Sequence, residues 1–81
     1  MKLRVELYGR LKDAGLGNVV ELDVDRALRA EEILAVLAER FGTKRKLLSG
    51  SVLANESEVL GSGSIISSEE RLAVLPPGCG G

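Results

Sequence analysis

The chain has no histidine and no tryptophan, and only one cysteine, one phenylalanine, one tyrosine and two prolines in 81 residues. Without histidine, neither a Ser-His-Asp nor a Cys-His arrangement can be assembled, and proton transfer by an imidazole at neutral pH is excluded. The lone thiol, Cys79, cannot close an intrachain disulfide, and a tetrahedral metal site would lack its usual ligands, so no bound metal is expected. With so few aromatics, the core falls to Leu, Val, Ile and Ala. Neither sign of charge dominates: eleven basic residues against twelve acidic ones provide no overall positive field for a phosphate backbone, and nucleic acid is not an expected partner. No apolar run approaches the roughly 20 residues that span a bilayer. Met1-Lys2-Leu3-Arg4 leads into an alternating pattern rather than a signal-peptide stretch, so the expectation is a cytoplasmic protein with no membrane partner.

What the chain does have is aliphatic periodicity. Leu3, Val5 and Leu7 alternate with Lys2, Arg4, Glu6 and Tyr8, which predicts a strand with one apolar face. After a connection holding Gly15 and Gly17, Val20, Leu22 and Val24 repeat the alternation, and the two strands read as a hairpin. From Ala30 the period lengthens: Ala30, Leu34, Leu37, Ala38 and Phe41, with Ile33 alongside, predict a helix with one stripe facing the sheet. Glu31 and Glu32 suit its start and Arg40 and Gly42 its end, but no Ser, Thr, Asp or Asn stands immediately before Ala30 to cap it.

Thr43 to Ser51 reads as a polar connection, in which Lys44-Arg45-Lys46 is either a solvated charge run or a docking patch for an acidic partner. Val52-Leu53-Ala54 predicts a short buried strand, Val59-Leu60 a further short one, and Gly61-Ser62-Gly63-Ser64 a loop. Leu72 and Val74 alternate with Arg71, Ala73 and Leu75 before Pro76-Pro77 ends the ladder. The expected fold is α+β in two layers, a β-grasp: a mixed sheet of four to five strands on one main helix, its terminal strands pairing in parallel. Residues 1–75 form this domain and residues 76–81 an exposed, flexible tail.

Pro76-Pro77-Gly78-Cys79-Gly80-Gly81 offers no side chain suited to a core, and two prolines remove two backbone donors, so the chain is expected to leave the sheet as an extended strut. Six extended residues reach roughly 20 Å, enough to enter a pocket on another protein. The ending "LAVLPPGCGG", the opening hairpin, the central helix and the "VLANES" strand-turn resemble the small subunit of molybdopterin synthase (MoaD-type) and the thiamine sulfur carrier (ThiS-type). The resemblance follows the order of elements through the whole chain, and its specific part is the last ten residues. The loop Ser67-Ser68-Glu69-Glu70-Arg71 departs from the family's more usual Asp-Gly-Asp-Glu turn, and Glu58 stands where the synthase subunits carry an apolar contact residue.

The resemblance implies a protein without independent catalysis, whose reacting atom is the terminal carboxylate of Gly81. An adenylating, E1-like enzyme consumes ATP to activate it, a sulfur donor converts it to a thiocarboxylate, and the sulfur passes to a pterin precursor of the molybdenum cofactor in the active site of the large subunit of molybdopterin synthase. No cofactor is held permanently. Gly80, Cys79, Gly78, Pro77 and Pro76 then form the thread that enters the partner's channel, with Gly80 and Gly81 thin enough for its narrowest part. Tyr8 and Leu75, on the outer sheet face beside the tail, are the expected interface anchors. The Cys79 thiol invites a sulfur-relay reading, but the family's reaction needs only the carboxylate, and a spacer is the simpler role. The same ending also suits a ubiquitin-like modifier joined to lysines of target proteins, or a sulfur carrier for thiamine, tRNA or cysteine synthesis.

Overall fold

The structure, a computed structural model, describes residues 1–77; Gly78, Cys79, Gly80 and Gly81, with the expectations placed on them, lie outside the described residues. Strand β1 (Lys2–Leu7) pairs antiparallel with β2 (Val19–Asp23), the register setting Leu3 opposite Leu22 and Val5 opposite Val20. The matching parity of the two alternations puts both apolar sets on one face. Strand β3 (Leu28–Arg29) leads into helix α1 (Ala30–Phe41), followed by β4 (Val52–Ala54), β5 (Val59–Leu60), β6 (Ile65–Ile66) and β7 (Arg71–Leu75). The main sheet runs β2-β1-β7-β4-β5, with β7 parallel to β1 and antiparallel to β4. One helix packed on a five-stranded mixed sheet with parallel terminal strands is the β-grasp fold, as the alternations lead one to expect.

The core lies between the helix and the sheet's inner face. Ala30, Ile33, Leu37 and Phe41 are the buried helix positions, packed in one cluster with Leu3, Val5, Leu7, Val20, Leu22, Leu53, Leu72 and Val74. The buried stripe thus runs through Ile33, while Leu34 and Ala38 sit at its half-buried margin. No polar or charged residue is buried among the described residues, so the core rests on aliphatic burial, at roughly 25 cal/mol per Å² of apolar surface.

Two features escape local periodicity. The first is a two-stranded sheet, β3 with β6, pairing Leu28 with Ile66 and Arg29 with Ile65. Two-residue strands carry too little alternation to be read, and only their pairing across the fold defines them. The second is the start of α1. Its uncapped amides are satisfied from a distance, Ala30 N–H donating to the Ser64 carbonyl at 2.8 Å and Glu31 N–H to the Ser62 carbonyl at 3.0 Å. Arg29 N–H donates to Glu32 Oε1 at 2.9 Å, so the loop and one helix carboxylate together replace the missing capping side chain. The two polar connections are also more ordered than their composition suggests: Gly9–Ala14 and Gly42–Leu48 form 3₁₀ segments that pack on each other, and the first buries Leu11.

Candidate functional site

Strand β7 is the middle strand of the main sheet, so the chain leaves it at the centre of one sheet end rather than at an edge. There the two prolines meet two glycines. Pro76 lies against Gly9 and Pro77 against Gly50, both glycines with positive φ, +58° and +76°. A Cβ at Gly9 would stand 3.2 Å from Pro76 Cγ, and one at Gly50 3.2 Å from Pro77 Cβ, so a side chain at either position would press on its proline. Pro76 is half-buried as a result. The strand ends at Leu75, and the first two residues of the expected tail lie against the domain, Pro76 half-buried at Gly9 and Pro77 exposed at Gly50.

The outer face of the sheet, away from the helix, flanks this exit. Tyr8 follows β1 and is 42% exposed on this face, and Leu75 is half-buried there. The register adds residues the sequence did not single out. Val52 pairs with Leu75, and Ala73 is opposite Ala54, which in turn pairs with Val59. With Val52 at 40% and Val59 at 60% exposure, apolar residues run from Tyr8 through Leu75 to Val52, and through Ala73 and Ala54 to Val59. Pattern alone reads Val52-Leu53-Ala54 as buried throughout; its only available signal was parity, since Val52 shares the outward parity of strand residues that flank Leu53.

Next to this run of apolar residues lies a depression of about 240 Å³ lined by Glu6, Tyr8, Asn55, Glu56, Arg71 and Ala73, among others. Tyr8 Oη donates to Glu6 Oε2 at 2.6 Å, and Arg71 Nη2 donates to Glu6 Oε1 at 3.3 Å. The Tyr8 hydroxyl, and after it the Arg71 charge, holds the Glu6 carboxyl below the usual carboxylate range, while the same bond raises the Tyr8 phenol. Tyr8 is thus an aromatic with a tethered polar end, a form of side chain that anchors an interface with little loss of freedom. Glu58 is exposed, its amide donating to Asn55 Oδ1 at 2.8 Å, so it shapes the turn between β4 and β5.

Among the described residues no three His, Cys, Asp or Glu side chains gather as metal ligands, and no helix is long and apolar enough to cross a membrane.

No family model matches the chain. A segment of 57 residues, 69% of the chain, is 37% identical to a heat shock protein of Dictyostelium discoideum, but spans only 14% of that protein's length. Similarity of fold is far more extensive. A crystal structure of SAMP1 from Haloferax volcanii superposes with a TM-score of 0.72 over 100% of both chains at 18% identity. A crystal structure of small archaeal modifier protein 1 from H. volcanii gives 0.73 over 94% of this chain and 97% of that one, at 20% identity. A putative molybdopterin converting factor subunit 1 from Pyrococcus furiosus gives 0.67 over 95% and 98%, at 13% identity. At these identities the agreement shows the β-grasp fold alone.

Proposed function

We propose that this protein is a carrier whose C-terminal carboxylate, on Gly81, is activated and converted to a thiocarboxylate that donates sulfur, with the small subunit of molybdopterin synthase as its specific role. The observation that carries the reading is the exit geometry. Pro76 and Pro77 leave the central strand between two glycines, beside an exposed apolar strip, and the sequence beyond them is Gly78-Cys79-Gly80-Gly81. An α-carboxylate with a reference pKa near 3.5 is ionised at pH 7 and is a competent nucleophile toward the α-phosphorus of ATP.

The chemistry balances with two co-reactants. A carboxylate oxygen bonds to the α-phosphorus as pyrophosphate leaves, giving an acyl-adenylate; a sulfide equivalent then adds to the carbonyl carbon as AMP leaves. The product is a thiocarboxylate, and transfer of its sulfur to an acceptor with uptake of water restores the carboxylate. An E1-like adenylating enzyme supplies the ATP site, a sulfur donor the sulfide, and the synthase large subunit the site in which a pterin precursor accepts the sulfur. Tyr8, Leu75, Val52 and Val59 dock these partners in turn, since one apolar strip beside one exit cannot be covered by two at once.

The name of the Pyrococcus structure supports the carrier reading, and the names of the Haloferax structures support a second one, a modifier whose activated carboxylate acylates lysines of other proteins. Incubation with an adenylating enzyme, ATP and a sulfide donor separates them. A carrier gains about 16 Da as sulfur replaces oxygen, and deletion of Gly80 and Gly81 abolishes the gain without changing the circular dichroism spectrum. A modifier instead appears in cells as higher-mass conjugates that the same deletion removes. Intact-mass measurement of protein from its native source, ending at Gly81, is the first check, because further residues would bury the reacting group in a peptide bond.

A further inference from the structure

The two 3₁₀ segments, one beginning at Gly9 beside Pro76 and the other ending two residues before Gly50 beside Pro77, carry five of the chain's eleven basic residues. Gly9–Ala14 and Gly42–Leu48 carry Arg10, Lys12, Lys44, Arg45 and Lys46 against a single carboxylate, Asp13. The rest of the chain holds the other six basic residues and eleven acidic ones. The protein is therefore strongly polarised although its net charge is only −1. Arg26, Arg29 and Arg71 each meet a glutamate, while Lys2, Arg4, Arg40 and the five cations of the 3₁₀ segments form no ion pair with a described carboxylate; what sets the segments apart is that their five cations face a single acidic residue.

Between the segments lies a cleft of about 410 Å³ lined by Arg10, Asp13, Lys44, Lys46 and Leu47. Lys44 Nζ donates to the Asp13 carbonyl at 2.9 Å, bridging the two segments and holding the cleft's walls together. Gly9, which seats Pro76, begins one wall, and Gly50, which seats Pro77, follows the other by two residues. The four residues beyond Pro77 span at most about 14 Å when extended. Whatever accepts the end of the tail therefore comes within that reach of Pro77.

We infer that the cleft of Arg10, Lys44 and Lys46 is a docking surface for an acidic rim around the pocket that receives the tail. The inference rests on the carrier reading and adds the charge of the partner. Unpaired cations beside the exit, on an otherwise acidic protein, orient the molecule so that the tail meets a negative opening first, and such complementarity acts mainly on the rate of encounter. A protein surface fits better than nucleic acid: the aliphatic Leu47 is part of the lining and no aromatic lines the cleft for stacking.

The test compares wild type with the triple variant Arg10→Glu, Lys44→Glu, Lys46→Glu, and with Arg10→Gln, Lys46→Gln as a milder pair that leaves the Lys44 bridge intact. With an adenylating enzyme and ATP, kcat/KM for adenylate formation should fall at least tenfold in the triple variant, with kcat at saturation retained. Its dependence on salt should also flatten, while Lys46→Arg behaves as wild type. Equal kcat/KM and equal salt slopes would overturn the inference. Independently of any enzyme, titration of 15N-labelled wild type with a glutamate-rich decapeptide should shift the amides of Arg10–Asp13 and Lys44–Leu47 and lose the effect in 0.5 M salt. Shifts confined to the outer sheet face, or tighter binding of a single-stranded RNA of equal charge, would overturn it. A wild type that no adenylating enzyme activates, but whose cleft takes the acidic peptide, refutes the carrier reading and leaves the acidic docking surface standing.

Discussion

On the inner face of the sheet Leu3, Val5, Leu7, Leu72 and Val74 are at most 1% exposed, whereas on the outer face of the same layer Tyr8, Val52 and Val59 are 40% to 60% exposed. Both sets arise from one alternating pattern. The inner set must be apolar because it meets the helix; nothing in the fold requires the outer set to be so. Glu6, Arg71 and Arg4 show that the outer face is readily polar, so apolar side chains persisting there beside the tail exit point to contact with another molecule. Burial explains the first face and leaves the second to function.

Substitutions can break this comparison. The largest effect on stability is expected on the inner side: Leu37→Ala, at a fully buried helix position, should lose about 2–5 kcal/mol in urea unfolding, a large share of the 5–15 kcal/mol typical of a domain. A loss below 1 kcal/mol would mean that the helix does not share the sheet's core. Next come the seats of the prolines. Gly9→Ala and Gly50→Ala should each cost about 1–2 kcal/mol from backbone strain alone, and more because the added methyl meets Pro76 or Pro77. Gly15→Ala, at φ +82° with nothing within 4 Å, isolates the strain, and equal losses at all three positions would show that the proline contacts contribute nothing.

On the outer face the order of effects should reverse. Val52→Ser and Val59→Ser should change stability by no more than about 0.5 kcal/mol. Each should nevertheless weaken binding of the adenylating enzyme or synthase subunit roughly tenfold, as for an interface anchor, measured by calorimetry. Unfolding without loss of binding would reverse the roles assigned to the two faces.

The smallest effect is that of pH. Glu6 is held below its ordinary range by the Tyr8 hydroxyl and then by Arg71, so its contribution is present above the unfolded carboxyl value of about 4.3 and is lost as pH falls through the lower folded value. Tyr8 is raised by the same bond, so its contribution is complete below about 10 and disappears as pH rises through the higher folded value. Glu6→Gln should flatten both limbs of a plot of Tm against pH, and parallel curves for the variant and wild type would sink the assignment.

Strands β1, β2 and β7 and the helix were legible because each carries its own period over several residues, as Leu3-Val5-Leu7 and Ile33-Leu37-Phe41 do, whereas the short β4 and β5 were marked by brief aliphatic runs between turn residues. Tyr8 and Leu75 were legible by parity along strands already identified. Val52 and Val59 were not, because their face depends on which residues oppose Leu75 and Ala54, a register that no single strand encodes. The helix start lacks a capping side chain, as the sequence indicates, but what replaces it was not legible: the acceptors are the carbonyls of Ser62 and Ser64, some thirty residues away and free of any side-chain signal.

The sequence alone determined the elements, the aliphatic core and the side-chain-poor ending "PPGCGG", because each rests on residue type or on periodicity between near neighbours. Only the tertiary structure decided which glycines seat the prolines, which outer-face residues adjoin the exit, and that Arg10 shares a cleft with Lys44 and Lys46. Those relations join segments far apart along the chain. They exist only once burial of the aliphatic core has closed the intervening loops, and no local pattern records which segments that closure will bring together.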